Sequence, residues 1–224
     1  MKVLVACEFS GTVRDAFKAR GHEALSCDLL PTESPGEHHQ GDIRDVLYDE
    51  WDLIIAHPPC QYITNSGVRW LYQSVDGKRV RNQDRWDNLD AAAAFFRLFS
   101  NHPCERVCIE NPIPHKYALA RIGKKYSQII QPWQFGHTEK KATCLWLKGL
   151  PPLQETHNVK EEMSLLPRSE QQKIWYASPS KDRWKKRSVT FSGIAEAMAS
   201  QWGDSAGAGR DRTAGPPGGP ACLS

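Results

Sequence analysis

The sequence predicts an α/β fold in which helices cover both faces of a mostly parallel sheet. The chain begins with a β-branched run at residues 2–6, a helical segment at 13–19, and a second apolar run at 24–27 that ends in Asp28. This strand–turn–helix–strand–acid order is typical of α/β domains that bind nucleotides. Residues 51–56 end in a continuous apolar run, as expected for a strand buried on both faces of a parallel sheet.

Strands and helices continue to alternate as far as residue 148. The periodicity predicts a helix at 89–100 and strands at 106–110, 127–131 and 142–147. Beyond Pro151 the chain becomes polar and basic, and helical spacing returns only at 191–202. The sequence thus divides into an α/β domain, a basic insert, a helix that packs back on the domain and a disordered tail, at residues 1–148, 149–188, 189–203 and 204–224.

Composition excludes several classes of protein. The chain has 224 residues, 40% of them hydrophobic, and no apolar run of about 18 residues that would cross a membrane. Its first apolar stretch is too short for a signal peptide, so we expect a cytoplasmic protein with reduced thiols. The seven cysteines are irregularly spaced, and only Cys104 and Cys108 lie close together. We therefore predict no metal site.

The net charge is only +3, but the basic residues are clustered. Residues 181–187 and 78–85 are rich in Lys and Arg and lie near tryptophans. Such clusters either follow a nucleic-acid phosphate backbone or form an ordinary solvated basic face, and both interpretations stay open for each cluster.

Two polar residues follow predicted buried strands. Cys60 comes after the strand at 53–56 and is preceded by Pro58 and Pro59, each of which fixes its own φ. Glu110 ends the strand at 106–110. In an open α/β sheet, ligands bind beyond the carboxyl ends of the strands, so the two side chains are expected in one crevice. The alternatives are a structural turn with an incidental thiol, and a glutamate that caps a helix.

Six motifs occur in order along the chain. They are Phe9-Ser10-Gly11, Asp28, Gly41-Asp42-Ile43, Pro59-Cys60-Gln61 with Thr64, Ser66 and Gly67, Glu110-Asn111, and Phe135-Gly136 with Glu139, Lys141 and Thr143. Together they resemble the motifs of the DNA cytosine-5 methyltransferase family, in that family's order. The resemblance covers about residues 3–147 and a final helix at 192–202. It implies a Rossmann-like fold that binds S-adenosylmethionine (AdoMet) within residues 1–148, DNA as partner, and a compact protein of the phage or prophage type.

The resemblance also implies a role for each matched residue. Cys60 would be the nucleophile, Glu110 would hold the cytosine ring, and Lys141 would support its carbonyl oxygen. The residues implied to contact AdoMet are Phe9, Ser10, Gly11, Asp28, Asp42, Ile43 and Pro58. Those expected to contact nucleic acid are Gln61, Thr64, Ser66, Lys185, Lys186 and Arg187.

The sequence departs from the family's pattern in four places. Asn111 is followed by Pro112 instead of the usual valine. Gly11 is followed by Thr12-Val13 instead of further glycines, and Glu139, Lys141 and Thr143 replace a Gln-x-Arg-x-Arg strand. Only about 40 residues separate Lys148 from Ser188, where the family has a large recognition domain. These departures put in doubt how the methionine end of AdoMet is held and whether the substrate is a specific duplex.

Three other functions stay open. An amino-methyltransferase acting on an exocyclic nitrogen has Asp, Asn or Ser, Pro-Pro and an aromatic residue at the strand end where this chain has His57-Pro58-Pro59-Cys60. A nucleic-acid-binding protein could keep the fold without methyl transfer. The same thiol chemistry could also act on a nucleotide or deliver another group.

Overall fold

The structure, a computed structural model, describes residues 1–176, 180 and 183–203, apart from the side chain of Lys186. Within this part of the chain the strands are β1 Lys2–Ala6, β2 Glu23–Asp28, β3 His38–Gln40, β4 Leu53–Ala56, β5 Tyr72–Val75, β6 Lys78–Arg81, β7 Val107–Pro112, β8 Gln128–Ile130 and β9 Thr143–Lys148. The helices are α1 Thr12–Lys18, α2 Gln83–Ser100, α3 Lys116–Ile122, α4 Lys160–Leu165, α5 Arg168–Gln171, α6 Lys173–Tyr176, α7 Arg183–Ser188 and α8 Ser192–Gly203.

Seven of the described strands form one sheet in the order β3-β2-β1-β4-β7-β9-β8. The pairings from β3 to β7 are parallel, and β9 runs antiparallel to both β7 and β8. The strand order reverses between β1 and β4, which is where open α/β sheets place their ligands. The predicted Rossmann-like α/β fold with a mostly parallel sheet is confirmed.

The sheet separates two apolar cores because successive side chains of a strand point to opposite faces. Val3 and Val5 of β1 join one cluster with residues of α1 and α8, whereas Leu4 and Ala6 join the other with residues of α2. Helix α8 packs against α1. Both faces of the sheet are therefore covered by helices.

Helix α2 begins at Gln83, earlier than the predicted start at residue 89. The Asn82 side chain accepts a hydrogen bond from the Arg85 amide and caps the helix, an arrangement that favours asparagine at this position. The first turns are too polar to show helical periodicity, although Trp86 is buried.

The segment between β9 and α8 contains the short helices α4 to α7. The division of the chain into four segments stays a prediction, and the expected disordered tail, residues 204–224, lies outside the described residues. No helix in the described part has both the length and the apolar content needed to span a membrane.

Candidate active site

Cys60 lies in a tight loop directly after β4. The loop leaves the sheet with the His57 amide donating to the Ala6 carbonyl of β1, and the Cys60 carbonyl accepts from the amides of Ile63 and Thr64 at 3.1 Å each. A Cβ at Gly67 would lie 2.9 Å from the Gln61 carbonyl oxygen, so this loop packs too closely for a side chain there. Cys60 itself is exposed. The backbone thus holds the thiol-bearing residue in one position and leaves it accessible.

The neighbouring strand β7 supplies a second restraint. The Asn111 side-chain amide donates to the Pro58 carbonyl at 2.8 Å, and Asn111 is only 1% exposed. The adjacent Glu110 carboxylate accepts from His57 Nδ1 at 2.9 Å. Since a carboxylate accepts only, Nδ1 carries the proton in this bond. The loop of Cys60 and the end of β7 are therefore joined by two side chains.

The pair of His57 and Glu110 is buried, with side chains 8% and 13% exposed. Burial by itself raises the pKa of Glu110, but the hydrogen bond and charge of His57, the charge of Lys141 and a hydrogen bond from Thr143 together lower it. Glu110 is therefore an ionised acceptor. His57 Nε2 and Asn111 Oδ1 are buried without a hydrogen-bond partner among the described residues.

The charges around Cys60 act in opposite directions. Loss of hydration within the cleft raises the pKa of the thiol even though the residue is exposed, and the Glu110 carboxylate raises it further. Lys141 and Arg187 lower it. The net effect is a pKa above the usual range for cysteine, so the resting thiol is protonated at neutral pH.

Cys60 opens onto a cleft of about 1100 Å³. The predicted nucleic-acid contacts Gln61, Thr64 and Ser66 line it, and the hydroxyls of Thr64 and Ser66 lie 3.0 Å apart. A second cavity of about 600 Å³ lies at the opposite edge of the sheet, among residues that precede β1, β2 and β4. The cleft of Cys60, at the carboxyl ends of the strands, is the better candidate for a reaction site.

Lys141 lines this cleft, but its ammonium group already has partners. Nζ donates to the carbonyls of Arg187 at 2.9 Å and Val189 at 3.4 Å. Lys141 therefore ties the chain before β9 to the end of α7, while its charge still reaches Cys60 and Glu110. Its predicted contact with a substrate carbonyl would require a change of partners.

The residues predicted to contact AdoMet lie at or after the ends of β1, β2 and β3, except for Pro58, which follows β4. Gly11 has a φ of 74°, and a Cβ there would lie 2.5 Å from Arg14 Nη2. The Glu8 carboxylate accepts from the amides of Val13 at 2.7 Å and Arg14 at 3.2 Å, and from the Ser10 hydroxyl at 3.3 Å. Glu8 thus occupies the amides at the start of α1, where a glycine loop would otherwise bind an anion.

Two carboxylates follow on neighbouring strands. Asp28 Oδ1 accepts from the Leu30 amide at 2.9 Å, and Asp42 accepts from the amide and guanidinium of Arg44. Ile43 is buried in the core next to Asp42, and Pro58 is buried within the loop that carries Cys60. Both carboxylates keep accepting capacity for the hydroxyl or amino groups of a nucleoside.

Helix α7 connects this region to the Cys60 cleft. The Trp184 ring lies 6.2 Å from the Phe9 ring, and Lys185 Nζ lies 5.9 Å from the same ring and 3.8 Å from Glu33 Oε1. At its other end, Arg187 lines the cleft. The side chain of Lys186 lies outside the described part of the chain.

Several residues at this edge were not among the predicted site residues. His57, Asn111 and Thr143 surround Glu110 or hold the loop that carries Cys60, although Asn111 and Thr143 belong to matched motifs. Trp175 and Trp184 line the cleft. His57 was visible beside the Pro-Pro-Cys motif. The pairing of His57 with Glu110 was not, because 53 positions separate the two residues. No group of three or more His, Cys, Asp or Glu side chains suited to a metal ion occurs within the described residues.

No protein-family model matches the sequence, and no curated protein matches it. Among solved structures, the chain is similar to an Escherichia coli protein described as a candidate DNA modification methyltransferase encoded within a prophage. The two share 15% identity with a TM-score of 0.41, over 75% of this chain and 56% of that one. This chain therefore spans little more than half of that protein's length, and similarity at this level does not identify a function.

Proposed function

We propose that this protein transfers a methyl group from AdoMet to carbon 5 of cytosine in DNA, through a covalent bond formed by Cys60. The observation that carries the proposal is the juxtaposition of an exposed thiol with a buried, ionised carboxylate. Cys60 follows β4 and Glu110 lies near the end of β7, the adjacent parallel strand, and the bonds of Asn111 and His57 hold the loop of Cys60 to β7. A rigid nucleophile beside a group that grips the substrate is the arrangement covalent catalysis requires.

Carbon 5 of cytosine is too weakly nucleophilic to take a methyl group unaided. The Cys60 thiol would first lose its proton to water. The resulting thiolate would form a bond to carbon 6, which moves the electrons of the ring double bond toward carbon 5. Carbon 5 would then take the methyl group, with S-adenosylhomocysteine as the leaving group, after which the proton of carbon 5 leaves to water and the bond between carbon 6 and sulfur breaks. The thiolate is thereby regenerated, and one difficult step is divided into easier ones.

Glu110 would activate the ring during this attack. Its carboxylate can accept from the exocyclic amino group, next to ring atom N3. Electron density builds on N3 as sulfur attacks, and His57 Nδ1, which donates to the Glu110 carboxylate at 2.9 Å, would supply a proton to that carboxylate. The buried setting strengthens these interactions because little water competes for them.

AdoMet, when bound, supplies an electrophilic methyl group. The acceptors Asp28 and Asp42 and the apolar Ile43 suit its nucleoside end. At the other end, the Glu8 carboxylate already takes the first amides of α1. Those amides are not available to the methionine carboxylate, so this end would be held by other groups than in a protein with a longer glycine loop.

The test is incubation with radiolabelled AdoMet and DNA, followed by digestion and mass analysis of the nucleosides. The wild type should yield 5-methylcytosine, and Cys60→Ser should yield none. Cys104→Ser is the matched control, because that half-buried thiol lies at the opposite edge of the sheet. Methyl groups on an exocyclic nitrogen, or full activity in Cys60→Ser, would instead support an amino-methyltransferase. Binding of DNA without any transfer would support a non-catalytic protein.

A further inference from the structure

The tryptophans of this protein divide sharply by location. Of the eight in the sequence, Trp70, Trp175 and Trp184 are exposed, at 53, 60 and 54%. These same three line the cleft of Cys60. The other five are buried or half-buried. Among the described residues, every exposed tryptophan therefore lines the cleft of the proposed nucleophile.

The three rings belong to two opposing parts of the chain. Trp70 lies in the 3-10 turn Asn65–Leu71 after the nucleophile loop, and the others lie on α6 and α7. The Arg69 guanidinium lies 4.5 Å from the Trp70 ring, and that of Arg187 lies 5.9 Å from the Trp175 ring. Aromatic faces with arginines beside them are platforms on which nucleobases stack.

The described charged residues that line the cleft are all positively charged. Its lining includes the cations Arg85, Lys140, Lys141 and Arg187, and none of the described lining residues is acidic. Directly after the Trp70 turn, the exposed hairpin of β5 and β6 adds Lys78, Arg79 and Arg81. A cationic path beside stacking faces matches a nucleic-acid backbone.

We infer that the natural substrate is a single strand, which lies in this cleft with its bases stacked on Trp70, Trp175 and Trp184. This inference rests on the proposed function and specifies its substrate. In a duplex the base faces are stacked on each other, so only a base that has been flipped out could stack on the three exposed tryptophans. A single strand presents every base face without that cost. The cleft, at about 1100 Å³, is also at the upper end of pockets built for one small molecule.

The inference is tested by fluorescence anisotropy, without AdoMet, using a labelled cytosine-containing oligonucleotide alone and annealed to its complement. At equal salt the single strand should bind about tenfold or more tightly than the duplex. Trp70→Ala, Trp175→Ala and Trp184→Ala should each weaken single-strand binding by roughly fivefold to a hundredfold. Phe at each position should restore most of the affinity, because it retains a stacking face.

Tyr48→Ala is the control, because Tyr48 is equally exposed but lies away from the cleft. Its affinity for the single strand should be unchanged. Equal or tighter binding of the duplex, or alanine variants with wild-type affinity, would overturn the inference.

These outcomes are separate from those of the proposed function. Tryptophan-dependent binding of a single strand by a protein that transfers no methyl group would leave the inference standing and reject the function. Methyl transfer through Cys60 to a duplex, with no preference for the single strand, would support the proposed function and reject the inference.

Discussion

The two halves of the sheet's carboxyl edge differ in how their polar groups are satisfied. At the ends of β1 and β2, Glu8 closes the first turn of α1, and Arg14 donates to Ser26 Oγ and to the carbonyls of Ser34 and Pro35. Arg14 is fully buried. At the ends of β4 and β7, Cys60 is exposed, and His57 Nε2 and Asn111 Oδ1 are buried without partners in the described structure.

This difference indicates that the two halves of the edge have different roles. The internal bonds of Glu8 and Arg14 make their part of the edge a scaffold that fixes strand ends relative to each other, while Asp28 keeps accepting capacity. Unpartnered buried polar atoms cost stability, and native structures concentrate them at functional sites. The β1–β2 half should therefore govern stability, and the β4–β7 half should govern reactivity.

The largest expected effect is on stability and belongs to the β1–β2 half. Arg14→Leu removes a buried cation that holds the loop at 32–35, and the carbonyls of Ser34 and Pro35 each lose a donor. We expect the free energy of unfolding in urea to fall by about 3 kcal/mol or more. Arg44→Leu, which removes an exposed arginine, should leave it nearly unchanged. Equal stability of the two variants would contradict the scaffold role.

Asn111→Ala should reduce the free energy of unfolding less than Arg14→Leu does, but it should reduce methyl-transfer activity strongly. The Pro58 carbonyl would lose its buried donor, which is worth about 1–2 kcal/mol of unfolding free energy. Methyl transfer should fall further than stability explains, because the loop before Cys60 would be released. Activity measured well below the unfolding midpoint separates the two effects, and unchanged transfer in a folded variant would show that this bond does not position the loop.

The pH dependence of Cys60 alkylation by iodoacetamide sharpens the comparison within the β4–β7 half. Because the pKa of Cys60 is raised, the rate should keep increasing with pH beyond the range of an ordinary cysteine. Glu110→Gln should move the profile to lower pH, and Arg187→Gln should move it to higher pH, since the two charges act oppositely. Mass spectrometry of the Cys60 peptide gives the rate. Profiles that coincide would show that these charges do not reach the thiol.

The smallest effect concerns the basic helix α7. Changing Lys185, Lys186 and Arg187 to Ala should flatten the plot of log affinity against log salt. The slope should change by roughly 0.7 for each phosphate that is no longer neutralised on a single strand, or roughly 0.9 on a duplex. Lys18→Ala, at the far end of α1, is the control. An unchanged slope would remove α7 from the nucleic-acid interface.

The sequence predicted the scaffold well and the connections of the site poorly. Apolar periodicity located β1, β2, β4 and β7, because burial on both faces leaves a clear local pattern. The bonds from His57 to Glu110 and from Asn111 to Pro58 join residues 53 positions apart, and no local pattern encodes them. The sequence also placed Lys141 beside the substrate, without showing that Arg187 and Val189 already occupy its ammonium group.

The glycine loop illustrates the same limit. Its shortening after Gly11 was evident, but the consequence, a glutamate that fills the start of α1, depends on the three-dimensional turn. Likewise, tryptophans in basic segments were evident, while their convergence on one cleft from residues 70, 175 and 184 was not.

The most direct test of the central claim is covalent trapping on an oligonucleotide containing 5-fluorocytosine. Fluorine cannot leave carbon 5 as a proton does, so the bond between Cys60 and carbon 6 should persist after methyl transfer. The account predicts an AdoMet-dependent adduct that survives denaturing electrophoresis, maps to the Cys60 peptide and is absent in Cys60→Ser, with much slower trapping in Glu110→Gln. Methyl transfer by the wild type without any adduct, or an adduct at another cysteine, would contradict it.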